Sequence, residues 1–120
     1  MQRKHRDLRV WQAAVGLVET VYQITAAFPR DEVFGLTSQM RRAATSVAAN
    51  VAEGAARAGT KELLRFLSIA SGSLSELDTH IEIARRLGLI KDSTKLALET
   101  DQVFALLVGL SSSLKRKVKG

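Results

Sequence analysis

Apolar and polar positions alternate with a helical period along nearly the whole chain. In the first segment Leu8, Trp11, Val15, Val18, Tyr22 and Thr25 recur at spacings of 3, 4, 3, 4 and 3, a heptad seam that predicts a helix over 7–27. Val10, Ala14, Leu17, Val21 and Ile24 widen its apolar face beyond what one partner helix needs. Pro29 ends this helix and RDEVFG supplies a turn. A second helix is expected over 36–57, with Leu36, Met40, Ala43, Ala44, Val47 and Val51 inward, broken by AGT at 58–60. Thr60 is the expected cap of a third helix over 61–87, with Glu62 in the first turn, where the helix dipole favours an anion. Its Leu63, Leu67, Ala70, Leu74, Leu77, Ile81 and Ala84 follow at spacings of 4, 3, 4, 3, 4 and 3. Arg85 and Arg86 occupy its last turn and Gly88 stops it. Asp92 or Ser93 is the expected cap of a fourth helix over 93–117, with Leu96, Thr100, Val103, Leu107, Leu110 and Leu114 on one face. No strand alternation competes. Four such helices joined by short turns predict an all-α, antiparallel up-down-up-down four-helix bundle, a single domain over 1–120.

Composition narrows the chemistry. With 46% hydrophobic and 25% charged residues in 120, the chain can build one core. The absence of cysteine excludes disulfides, thiolate metal sites and cysteine nucleophiles. Two histidines with no HExxH pattern leave no zinc site to expect, and neither a metal nor another cofactor is expected. No apolar run approaches the roughly 20 residues that span a bilayer. The opening MQRKHRDLRVWQ is basic but leads into no apolar segment, so no signal peptide is expected. A membrane surface would need exposed large apolar groups beside the lysines; of Leu110, Leu114 and Val118 the bundle core claims the first two, so no membrane partner is expected. The expected location is cytoplasmic.

The net charge of +6 favours anionic partners, nucleic acid first. Topology sharpens this. In an up-down-up-down bundle, the start of the first helix, the second turn and the end of the fourth helix meet at one end. That end holds Arg3, Lys4, Arg6, Arg9, Arg57, Lys61, Arg65, Lys115, Arg116, Lys117 and Lys119. Against these stand Asp7, Glu53 and Glu62, so eleven positive and three negative charges leave +8, and the rest of the chain is at −2. Solvated tail lysines are the plain reading of KRKVK alone. Three separate segments converging on one end point instead to phosphate contacts, salt-dependent and weakly sequence-specific. Arg41 and Arg42 are second-tier candidates. Aromatic residues are few and fall mostly on apolar faces, so no base-stacking platform is expected.

The second helix also carries a polar stripe, Gln39, Arg42, Ser46, Asn50, Glu53 and Arg57, flanked by alanines and Gly54. A solvated face more often uses Lys, Glu and Gln, and a mid-helix glycine costs about 1 kcal/mol relative to alanine. The Asn50, Glu53 and Gly54 patch is therefore assigned to close helix packing, within the protomer or between protomers. Small-residue patches at Ser68, Ser71, Gly72, Ser73 and Ser75, and at Gly109 and Ser111 to Ser113, suggest self-association.

FGLTSQMRRAATSVAANVAEGAARAG followed by KELLRFLSIASGSLSELDTHIEIARRLG resembles the bacterial four helix bundle protein family. Its founding members are encoded in intervening sequences of large-subunit ribosomal RNA genes. The resemblance covers about residues 7 to 90 and rests on the GLTSQ, RRA, N-x-A-E-G and RFL-IA-GS-EL elements; DLRVWQAAVGLVETVYQIT also fits the family's usual start. A mild departure is Ala48-Ala49, where the family often has an Ile-Pro or similar pair. The resemblance implies a four-helix protomer assembled as a ring-shaped homopentamer. It also implies a likeness to the accessory variability protein of diversity-generating retroelements, which works with a reverse transcriptase and nucleic acid.

Catalytic readings have two candidate groups: Glu53 with Asn50 and Arg57, and Glu76 with Asp78 and His80. Catalysis needs a desolvated carboxylate or an oriented histidine in a pocket, and core positions filled by Leu, Val and Ile leave little room for one. Glu76 and His80 read as an exposed i, i+4 pair, and no catalytic residue is assigned. His5 reads as solvated and Trp11 as packed in the core. The expected protein is a non-catalytic RNA- or DNA-binding oligomer. The competing expectation is an adaptor that docks a protein such as a reverse transcriptase.

Overall fold

Each periodic segment folds as a helix: α1 (Arg9–Thr25), α2 (Leu36–Ala55), α3 (Thr60–Arg86) and α4 (Thr94–Lys119). The computed structural model describes residues 3–119, and its side chains through Val118. Single 3-10 turns at Lys4–Asp7 and Arg30–Glu32 precede α1 and α2. α1 starts later than the periodicity suggests because Leu8 is extended, at φ −78° and ψ 125°.

The helix ends show which local signals act. Thr60 is not the cap of α3 but its first residue. Gly59, extended at φ −160° and ψ 155°, takes the cap position, and no side chain closes that end. The Gly59 carbonyl instead accepts the Leu63 N–H at 3.1 Å. At the other end of α3, Gly88 adopts φ 77°, the left-handed region open to glycine. Gly88 N–H then reaches the Arg85 carbonyl at 3.0 Å and Leu89 N–H the Ala84 carbonyl at 2.9 Å, the paired bonds of a Schellman stop. Both cap candidates act at α4. The Ser93 carbonyl accepts the Ala97 N–H at 2.9 Å, and Asp92 Oδ1 accepts the Thr94 N–H at 3.0 Å. That backbone bond holds the Asp92 carboxyl below its ordinary value.

Neighbouring helices run antiparallel. Gly54 near the end of α2 meets Leu63 and Phe66 near the start of α3, while Ser46 in mid-α2 meets Ser73 in mid-α3. Thr20 late in α1 bonds Glu99 early in α4, while Arg9 and Val10 lie beside Gly109 and Leu110. Leu64 and Ser68 of α3 share a groove with Ser112 and Lys115 of α4. Contacts close the cycle α1–α2–α3–α4–α1, so each helix turns one broad face to two neighbours.

The core follows from that geometry. In α2, α3 and α4 the expected inward residues are buried, with Leu36, Leu63, Leu110 and Leu114 half-buried at its margin. In α1 the centre is shifted. Val10, Ala14, Leu17, Val21 and Thr25 are buried, whereas the heptad residues Leu8, Trp11, Val15 and Val18 flank them and Tyr22 is exposed. A helix packed between two neighbours buries the bisector of its apolar arc, not the seam that faces one. Full burial of side chains such as Leu17, Leu67, Leu74 and Leu107 contributes about 1.5–3 kcal/mol each. Among the described residues no helix is long and apolar enough to cross a membrane.

Candidate nucleic-acid interface

The basic end is assembled by the antiparallel register. The 3-10 turn Lys4–Asp7 packs on α2 as well as α1. The close of α4 lies beside the starts of both α1 and α3, through the Arg9–Leu110 and Leu64–Lys115 grooves. Arg3, Lys4, Arg6, Arg9, Arg57, Lys61, Arg65, Lys115, Arg116 and Lys117 are all exposed. The side chain of Lys119 lies outside the described residues.

Several of these cations are fixed on aromatic rings. The Arg6 guanidinium stands 5.4 Å from the Trp11 ring centroid, and His5 meets the same ring edge-on at 4.9 Å. Gln12 Nε2 ties the Arg6 carbonyl at 2.8 Å. Trp11 is thus half-buried, packed against the core at its rim and carrying part of the basic arm. Phe66 is flanked by two arginines, Arg57 at 5.1 Å and Arg65 at 4.9 Å from its centroid. Periodicity alone does not show this stack. Its signal is the fold-back of the chain about Ala58 and Gly59, which sets 53–57 against 63–66.

The patch around Asn50 divides. Gly54 is buried against α3: a Cβ placed there would stand 2.7 Å from Phe66 Cβ and 3.1 Å from Leu63 Cδ1. Asn50 is half-buried, its Nδ2 donating to the Ser46 carbonyl at 2.8 Å and to Ser46 Oγ at 3.0 Å. Ser46 Oγ in turn pairs with Ser73 Oγ of α3 at 2.9 Å. Glu53 departs from the packing assignment. It is exposed and ion-paired at 3.3 Å to Arg57, because its position lies one step round the helix from the α3 contact.

The second-tier arginines stand apart from the basic end. Arg41 Nε donates to Thr25 Oγ1 at 2.9 Å and its Nη2 to the Tyr22 carbonyl at 3.4 Å, with the guanidinium 4.4 Å over the Tyr22 ring. It therefore satisfies the last turn of α1. Arg42 lines an open groove of about 570 Å³ between α2 and α3, with Gln39, Thr45, Ser46 and Glu76. Glu76 Oε2 lies 3.4 Å from His80 Nε2. Glu76 is exposed as expected, but His80 is not: its side chain is 13% accessible and its Nδ1 is buried without a partner.

One family's sequence model, described as 23S rRNA-intervening sequence protein, matches residues 6–109. The chain belongs to this family. No curated protein matches it. The region shared with the 23S rRNA-intervening sequence proteins takes in Arg6, Arg9 and the whole α2–α3 turn with Arg57, Lys61 and Arg65. It stops short of Lys115, Arg116 and Lys117. The basic end thus has a portion within the family's sequence pattern and a portion beyond it.

Proposed function

We propose that this protein is a non-catalytic, oligomeric nucleic-acid-binding protein that holds RNA or DNA phosphates at its cationic bundle end. One observation carries the reading: ten exposed cations from three separate chain segments gather at that end. At the opposite end Glu82 pairs with Arg85 at 2.7 Å and Arg86 at 2.8 Å. Polyanion binding at such an end proceeds by counterion release and is steep in salt. The family description, which refers to 23S rRNA, is compatible with RNA association.

Self-association multiplies such contacts. Gly16, Gly72 and Gly109 each face open space, with nothing within 4 Å of a would-be Cβ, so these helix surfaces accept close approach from another copy. Five copies in a ring is the assembly implied by the family resemblance. The deciding experiment measures binding of a labelled structured RNA, a single-stranded DNA and a duplex DNA at two salt concentrations, with molar mass by light scattering alongside. Sub-micromolar, salt-steep binding by an oligomer is the expected result. No binding at low salt overturns the reading.

The adaptor reading has one observation of its own. Phe34, in the α1–α2 turn, is 96% exposed and Leu87, at the close of α3, is 63% exposed, both at the end opposite the cations. A protein such as a reverse transcriptase is the partner this reading names.

A further inference from the structure

We propose that Arg57 and Arg65, stacked together on Phe66, form a preorganised clamp for the phosphodiester groups of a single nucleic-acid strand. The inference rests on the nucleic-acid reading above and goes beyond it: within the basic end, planar fork geometry and not charge alone grips the ligand. Both guanidiniums refer to one ring, at 5.1 and 4.9 Å from its centroid, which bounds their separation at 10.0 Å. Two phosphates of one strand, advancing about 3.4 Å along the axis per nucleotide, come within that span.

The floor of the clamp is rigid. Phe66 is 6% exposed, and its Cβ is pressed against the bare backbone of Gly54. A guanidinium resting on a fixed ring loses less freedom when it binds than one on a free stem, and its donors match phosphate oxygens in pairs. Each fork keeps most of its donors open. Arg57 gives Nη2 to Glu53 at 3.3 Å, and Arg65 approaches Glu62 through Nε at 3.6 Å. An arginine has five N–H donors, so one contact each leaves the rest to solvent. On either side of Arg57 the α2–α3 turn is built of small exposed residues, Ala56, Ala58 and Gly59, with open space at Gly59. A backbone phosphate can approach at Gly59, where nothing stands within 4 Å of a Cβ's place. Locally Glu53 and Glu62 balance the two arginines, so bulk charge does not favour this spot over the lysine tail. Geometry does.

Charge-preserving substitution separates the two. R57K/R65K keeps the net charge and removes the planar forks, and both positions are exposed, so the fold tolerates them. Anisotropy titrations use a labelled RNA hairpin and the DNA hairpin of the same sequence, across a salt series. The double variant is expected to bind roughly five- to tenfold more weakly with an unchanged salt slope, since fork pairing is lost and no charge is. Whether the RNA or the DNA arm loses more shows whose phosphodiesters the clamp fits. If the wild type binds and R57K/R65K binds equally well, the clamp is overturned and the nucleic-acid reading stands. If the wild type binds neither hairpin at low salt, both fall together.

Discussion

Gly54 of α2 lies so close to Phe66 of α3 that a Cβ on the glycine would stand 2.7 Å from the Phe66 Cβ. Helix propensity favours Gly54→Ala by about 1 kcal/mol. The contact opposes it, because Phe66 Cβ is tied to its own backbone and Leu63 Cδ1 closes the other side at 3.1 Å. Overpacking of this kind costs about 1–3 kcal/mol. Gly54→Ala is therefore expected to be net destabilising, read as a lower denaturant midpoint at an unchanged m-value. A stabilised variant would show that α2 and α3 part easily at this point.

Thr100 sits 1% exposed in the core face of α4, and its Oγ1 is buried with no hydrogen-bond partner. A buried polar group without a partner forfeits about 1–3 kcal/mol of solvation. Thr100→Val keeps the shape and removes the hydroxyl, and is expected to stabilise the protein by about 1 kcal/mol. Thermal and urea unfolding of the two proteins would measure it; a variant less stable than the parent would mean that the hydroxyl is satisfied in solution.

Glu82 accepts from Arg85 and Arg86 on the last turn of α3, and these bonds lower its carboxyl from 4.5 to about 2. The pairing contributes stability in full above pH 4.5, and the contribution is lost as pH falls from there toward 2. Because the cluster is open to solvent, salt weakens the effect. Unfolding midpoints between pH 6 and 2.5 should fall less steeply for Glu82→Gln than for the parent. Parallel curves would mean that the two arginines do not engage Glu82 in solution.

The sequence carries the fold because one signal, the 3.6-residue period, is strong in all four segments and few residues interrupt it. What it misplaced were matters of partner geometry. The α1 heptad of Leu8, Trp11, Val15 and Val18 reads as a seam, yet contact with both α2 and α4 turns Val10, Ala14, Leu17 and Val21 inward. Thr60 has the chemistry of a cap, but the conformation of Gly59 assigns the position by backbone. The polar stripe of α2 is continuous in sequence. Its residues part only when α3 is laid against them, taking Gly54 and leaving Glu53 in water. Charge at the basic end is legible from residue counts plus topology, whereas the Arg57–Phe66–Arg65 stack depends on how the α2–α3 turn closes.

Phe34 stands 96% exposed between Val33 and Gly35, with no neighbour to bury it. Phe34→Ser removes no core contact, and stability is expected to stay within about 0.5 kcal/mol of the parent. Under the nucleic-acid reading the change also leaves RNA affinity untouched, because the residue lies at the end opposite the cations. A variant that loses RNA binding while folding normally would relocate the interface to the α1–α2 turn.

Lys115, Arg116 and Lys117 end α4 as three exposed cations beyond the region matched to the family. If they neutralise phosphates, each contributes a share of the released counterions. The slope of log affinity against log salt then carries about 0.9 per neutralised phosphate on duplex DNA and about 0.7 on a single strand. Changing all three to Glu removes those contacts and adds three repulsive charges facing the same polyanion. Affinity should fall at low salt and the slope should flatten by up to about 2 to 3. The helix end is solvent-exposed there, so the melting transition is expected to hold its position. An unchanged slope with unchanged affinity would remove the tail from the interface and leave it to Arg3, Lys4, Arg6, Arg9, Arg57, Lys61 and Arg65. A flattened slope with the R57K/R65K loss preserved would separate the two contributions: the tail supplies long-range attraction, and the arginines on Phe66 supply the directed grip.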